Sequence, residues 1–301
     1  MASIDLRTRL GPLELATPLV AASGTVGNVW EWATVADTSV YGAAVAKSVS
    51  LEPWAGRPPP RLAPTSAGML NGIGIQNPGL DAWSAEVGPR LGEIGTQVWG
   101  SAVGHAADEF AKVAAGLQSA GVVAVEINLS CPNLDSGTIF ATDPGLSADV
   151  VAAVRNATSC PIGAKLAPDT PSIVEVATAC ADAGADWVTA INTVRGMGLD
   201  AVGRPLLSGV IGGYSGPGIK PIALRCVYEI KSALPELPVL GCGGVMGGVD
   251  VLEFLAVGAA AVGVGTAHLA EPRAGKRLVT EMEKLLRRQG RVAVTDMIGI
   301  A

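Results

Sequence analysis

Short apolar runs alternate along this chain with stretches of helical periodicity, and the alternation persists almost from one end to the other. Strand-like runs fall at residues 18–22, 42–46, 97–102, 125–129, 162–166, 187–191, 238–242 and 260–264, and helical patterns at 107–120, 171–183, 221–233, 249–256 and 272–288. Eight strands interleaved with helices predict an α/β chain folded as a (β/α)8 TIM barrel, with a doubly wound parallel sheet as the other arrangement. Residues 5–16 read as an N-terminal hairpin turning at Gly11-Pro12, ahead of the barrel. The connections 49–80 and 194–220 are too long and too rich in Gly and Pro for ordinary crossovers, and are expected to be inserted loops over the carboxyl-end mouth. With no internal repeat and no linker, residues 1–301 read as a single domain.

Composition narrows the partners. A net charge of −6, with only 16% of residues charged, offers no basic field for a phosphate backbone, so nucleic acid is not expected. No run of about twenty apolar residues spans a bilayer, and the amino end lacks the order of a signal peptide; no membrane association and a cytoplasmic location are expected. The five cysteines, 131, 160, 180, 226 and 242, are widely spaced without a Cys-x-x-Cys pair, which fits reduced thiols better than disulfides, zinc or an iron–sulfur cluster. With His105 and His268 as the only histidines, no metal site is expected.

Chemistry gathers at the carboxyl ends of the strands, as it does in α/β barrels. The run at 125–129 leaves its strand through Ser130-Cys131-Pro132-Asn133, because Pro132 removes a ladder donor and turns Cys131 away from helical geometry. An isolated cysteine is ordinarily an inert packed residue. Here Asn128 and Asn133 flank the thiol, and carboxamides read the edges of a polar, planar ligand. Gly243-Gly244 and Gly265-Thr266 follow the seventh and eighth strands, where barrels bind phosphate through backbone N–H groups and a hydroxyl, although glycine can also simply end a strand. Lys47 and Lys165 stand at the ends of the second and fifth strands, in apolar contexts where an uncompensated ammonium is costly. An anionic partner is needed, and the pyrimidine edge of a flavin, which becomes negative on reduction, would supply one.

Nearly end to end, these motifs resemble the class 1 dihydroorotate dehydrogenases, and most closely their B subgroup. The resemblance runs through Ser23-Gly24, Lys47, the segment Asn71-Gly72-Ile73-Gly74-Ile75-Gln76-Asn77-Pro78-Gly79, the turn from Asn128 to Asn133, Lys165, Ile191-Asn192-Thr193, the segment 215–221, Gly243-Gly244 and Gly265-Thr266. It implies oxidation of dihydroorotate to orotate in pyrimidine synthesis, with FMN as cofactor and Cys131 as the general base. By resemblance, the flavin falls to Ser23, Lys47, Ser48, Ser101, Asn128, Lys165, Ile191, Gly216, Gly243, Gly244, Gly265 and Thr266. The substrate falls to Lys47, Asn71, Gly72, Ile73, Gly74, Ile75, Asn128, Asn133, Asn192 and Thr193. The other four cysteines are left as packing residues.

The resemblance further implies a homodimer, or a heterotetramer with a second subunit that carries FAD and a 2Fe-2S cluster and reduces NAD⁺. Two departures stand out. Ser101-Ala102-Val103-Gly104 replaces the family's usual Asn-Val-Ala-Gly, and residues 136–141 lack its Gly-Gly-x-x-Phe-Gly. Other readings are a dihydropyrimidine dehydrogenase-like flavoenzyme, a tRNA dihydrouridine synthase, which this acidic chain argues against, a non-redox phosphate-binding barrel, and a binding subunit without turnover.

Overall fold

The computed structural model describes residues 3–129 and 140–301. The chain opens with an antiparallel hairpin, β1 (Thr8–Leu10) and β2 (Leu13–Leu15), turning at Gly11 with φ +57°. β3 (Leu19–Ala21) and β4 (Ala43–Val45) follow, with the single-turn α1 (Trp30–Ala33) between them. The first long connection carries β5 (Leu62–Thr65), β6 (Gly68–Asn71) and α2 (Leu80–Val87). Strands and helices then alternate: β7 (Gln97–Ala102), α3 (Ala107–Ser119), β8 (Ala124–Asn128), α4 (Pro144–Ala157), β9 (Ile162–Leu166), α5 (Ile173–Asp182) and β10 (Trp187–Ala190). β11 (Val194–Met197) and β12 (Ile211–Ser215) occupy the second long connection. The chain continues through α6 (Lys220–Ala233), β13 (Val239–Cys242), α7 (Gly248–Ala256), β14 (Ala261–Val264), α8 (Ala267–Ala270) and α9 (Ala274–Arg288).

Eight parallel strands close into a barrel in the order β3, β4, β7, β8, β9, β10, β13, β14, with Val262 of β14 in register with Leu19 of β3. Helices cover the outside and side chains fill the inside, so both faces of each strand are shielded and the strands read as continuous apolar runs. The eight expected strands are these eight. α4 was not among the expected helices, although its start is well defined: Pro144 occupies the first turn, and Asp143 accepts a hydrogen bond from the Leu146 N–H at 2.9 Å.

The hairpin plugs the amino end of the barrel. Leu10, Leu13 and Leu15 are buried against inward residues of the strands, among them Val20, Trp99, Trp187 and Leu240. The Trp99 and Trp187 rings meet inside the barrel with centroids 5.1 Å apart. Gly163 of β9 makes room for this pair, because a Cβ there would lie 2.0 Å from the Trp187 indole. Above this layer, toward the carboxyl ends, the interior turns polar.

The two long connections do lie over the mouth, but as strands rather than as loops. β5, β6, β12 and β11 pair into a four-stranded antiparallel sheet in the order β11, β12, β6, β5, with Gly213 opposite Asn71. These strands are short, and glycine punctuates them, so no apolar alternation marked them in the sequence.

Candidate functional site

A cavity of about 310 Å³ opens at the carboxyl end of the barrel, walled by the ends of the eight strands and roofed by β6 and β12. One end of it is a cradle of backbone. Gly243 and Gly244 take φ of +140° and +77°, and a side chain on Gly244 would collide with Lys220 Cβ at 2.7 Å. The N–H groups of Gly243, Gly244, Gly265 and Thr266 meet no acceptor among the described residues. Thr266 Oγ1 donates to Ser215 Oγ at 2.8 Å, and Gly216, with φ +99°, lies beside them on the wall.

Hydroxyls and an amide line one side. The Ser48 and Ser101 hydroxyls share a hydrogen bond of 2.9 Å, and Asn128 Nδ2 donates to Ser48 Oγ at 3.2 Å. Ser23 faces the same space with its hydroxyl donated to the Ala46 carbonyl, and Lys47 follows on the wall. Thr25 stands behind them, at the end of a directed chain: Tyr41 O–H donates to His268 Nε2 (2.7 Å), His268 Nδ1–H to Thr25 Oγ1 (3.2 Å), and Thr25 O–H to the Ala22 carbonyl (2.8 Å). That direction is assigned from the hydrogen-bond network, since Thr25 has spent its proton on a carbonyl. Burial lowers the His268 pKa to about 4, so the imidazole is neutral.

The floor holds an ion pair. Lys165 and Glu126, from the adjacent strands β9 and β8, lie 3.6 Å apart with side chains only 8% and 1% exposed. Thr189 Oγ1 of β10 donates to the other carboxylate oxygen at 2.8 Å. Burial is the largest influence and opposes the Lys165 charge, but Glu126 and Cys242 together hold the lysine above its ordinary pKa. Cys242 completes this corner, and burial raises its pKa, keeping it a thiol. Glu126 and Cys242 went unassigned in the sequence, and the signal for Glu126 was there: a carboxylate in the middle of an apolar strand needs a buried partner. Cys242 is therefore part of the cavity wall and not only a packing residue.

At the mouth, Asn71, Ile73, Ile75, Ile191, Asn192 and Thr193 reach the cavity. Asn71 Nδ2 donates to the Gly213 carbonyl at 3.2 Å, tying β6 to β12. Gly72 and Gly74 belong to the same segment but lie off the cavity wall, Gly72 facing Leu207 and Gly74 facing Arg57. Asn77 holds the segment in shape: its Oδ1 accepts from Gly79 N–H at 2.9 Å, and its Nδ2 donates to the Ile75 carbonyl at 2.8 Å. Ile75 itself is in the left-handed region at φ +56°. Cys131 and Asn133, the expected base and one expected substrate amide, lie outside the described residues. Among the described residues no cluster of His, Cys, Asp or Glu could hold a metal, and no helix is long and apolar enough to cross a membrane.

The family model described as Dihydroorotate dehydrogenase matches residues 5–286. The chain belongs to the dihydroorotate dehydrogenase family. Among relatives, the protein named "Dihydroorotate dehydrogenase B (NAD(+)), catalytic subunit" from Geobacter sulfurreducens is 44% identical over 302 residues, covering 99% of both chains. Proteins of the same name from Geobacter sp. (strain M21) and Desulforudis audaxviator are each 43% identical, over 98% and 96% of this chain and 97% and 95% of their own. A crystal structure of DHODH in complex with ferulenol from Eimeria tenella superposes with a TM-score of 0.83 over 98% of this chain and 88% of its own; at 20% identity it speaks for the shared barrel fold. Membership of the dihydroorotate dehydrogenase family, nearest the B type, agrees with the motif reading and disfavours the other flavin and phosphate barrels.

Proposed function

We propose that this chain oxidises dihydroorotate to orotate on a bound FMN, in the synthesis of pyrimidine nucleotides in the cytoplasm. The supporting observation is that one cavity joins a cradle of backbone N–H groups, which meet no acceptor among the described residues, to a floor carrying a buried lysine. The cradle suits a terminal phosphate dianion, and the strand-end hydroxyls and amide suit the rim of a planar heterocycle.

FMN when bound would accept the hydride from C6 of the substrate. The chain's own residues would do the rest. Gly243, Gly244, Gly265 and Thr266 would anchor the phosphate, with Gly216 alongside. Ser23, Lys47, Ser48, Ser101, Asn128 and Ile191 would border the ring, and Lys165 would give its pyrimidine edge a fixed positive neighbour. Asn71, Asn128, Asn133, Asn192 and Thr193 would fix the substrate, and Cys131 would take the C5 proton. A thiol with an ordinary pKa of about 8.5 is mostly protonated at neutral pH, so turnover should rise toward alkaline pH.

The relatives are named as NAD⁺-linked catalytic subunits. Five scattered cysteines cannot house an iron–sulfur relay, so NAD⁺ reduction calls for a second subunit holding FAD and a 2Fe-2S cluster, in a heterotetramer built on a homodimer of this chain. The test is anaerobic addition of dihydroorotate to the FMN-loaded protein. Bleaching of the oxidised-flavin band with release of orotate is expected; an unchanged spectrum, with bleaching by dihydrouracil instead, would transfer the assignment to dihydropyrimidines.

A further inference from the structure

The Glu126–Lys165 pair is an uneven one. Thr189 pins one carboxylate oxygen at 2.8 Å, while the other faces the ammonium at 3.6 Å, too far for a hydrogen bond, and is itself buried without a hydrogen-bond partner. Lys165 makes no hydrogen bond within 3.5 Å among the described residues, so its donors remain unspent on the cavity floor. A short hydrogen bond would commit an ammonium donor to this carboxylate. The arrangement instead keeps the positive charge in place and leaves the ammonium free to donate upward.

We propose that Glu126 is a positioning residue for Lys165: its carboxylate, anchored by Thr189 on the next strand but one, keeps the Lys165 ammonium charged and directed at the cavity. Among the described residues, the titratable groups around that ammonium are Glu126 from β8 and Cys242 from β13, with Lys47 of the same cavity wall carrying like charge. Cys242 also favours the charged lysine, but its own buried thiol is held protonated, so Glu126 is the larger of the two influences. Without Glu126, burial works largely unopposed against the ammonium, and the proton affinity of Lys165 falls below that of an ordinary lysine. The consequence for the cofactor rests on the FMN reading, whereas the charge state of Lys165 does not.

Glu126→Gln tests this cleanly, since the amide oxygen can still accept from Thr189 and only the charge is removed. The whole chain, carrying ¹³Cε-labelled lysine, is titrated by NMR, with Lys165→Met assigning the resonance among the seven lysines. Wild-type Lys165 should stay protonated beyond the ordinary lysine value of about 10.4, and Glu126→Gln should lose at least about ten-fold in proton affinity relative to that value. Thr189→Val, which keeps the charge and removes its anchor, should shift the same resonance by a smaller step. An identical Lys165 titration in wild type and both variants would overturn the proposal.

On the FMN-loaded protein, sulfite, whose adduct places negative charge on the ring's pyrimidine edge, should bind with declining affinity as pH rises in Glu126→Gln, but evenly from about pH 6 to 9 in wild type once free sulfite ionisation is corrected. Parallel profiles would overturn the link to the cofactor. Failure of the protein to bind FMN at all would defeat the functional reading, while the NMR titration would still decide the role of Glu126.

Discussion

The sharpest expectations attach to single side chains. Cys131→Ala should leave FMN bound but slow flavin reduction by dihydroorotate about 10²- to 10⁴-fold, the usual contribution of a positioned base. Cys131→Ser should retain a small activity displaced to higher pH. Rapid-mixing absorbance distinguishes these outcomes, and equal rates in wild type and alanine variant would leave the thiol a structural part. Ser101 offers a gain. Its hydroxyl shares a hydrogen bond with Ser48, which also receives the Asn128 amide, so this wall has a short reach. Ser101→Asn would restore an amide in the wall, and FMN should dissociate more slowly from the variant in an ultrafiltration assay; an unchanged dissociation constant would show that Ser101 makes no contact the longer side chain improves.

Between elements, the buried His268 links α8, immediately after the glycine cradle, to Tyr41 and the loop after β3. Its pKa falls from an ordinary 6.5 to about 4 in the folded chain, while the unfolded chain takes up its proton at the ordinary value. Stability from this group is thus fully present above about pH 6.5 and is lost as pH falls toward about 4, a swing of about 3 kcal/mol. Urea midpoints measured across that window should decline in wild type and decline less in His268→Gln. At the mouth, Gly213→Ala would place a Cβ 2.1 Å from Thr193 Oγ1 and 3.1 Å from Asn71 Nδ2. KM for dihydroorotate should rise with FMN retention unchanged, and a variant that instead sheds FMN would contradict the division between cradle and mouth.

What could be read from the sequence follows the same physics. The barrel strands were legible because burial on both faces writes an unbroken apolar run, and the cradle because glycines fall directly after two of those runs. The mouth sheet was not, since β6 and β12 are short, rich in glycine, and paired across more than a hundred residues. Glu126 escaped because one carboxylate in an apolar strand declares a need for a partner without saying which strand supplies it.

For the molecule as a whole, the proposed division of labour with a second subunit has a direct check. The isolated FMN-loaded chain should pass electrons from dihydroorotate to dyes or quinone analogues but not to NAD⁺, and co-expression with an iron–sulfur flavoprotein should confer NAD⁺ reduction. Fast NAD⁺ reduction by this chain alone would remove the need for a partner, and efficient fumarate reduction would point to the A type. The hairpin plug bears on how such electrons leave. Leu10, Leu13 and Leu15 seal the amino end, and the closed strand ring seals the flanks, so among the described residues the cavity opens at the mouth, beside β6 and β12. A diffusing oxidant must therefore queue at the doorway that orotate uses to depart, and orotate should inhibit dye reduction competitively with the dye. A protein that draws electrons through the wall avoids the queue, and NAD⁺ reduction by the assembled complex should show orotate as a rival of dihydroorotate alone.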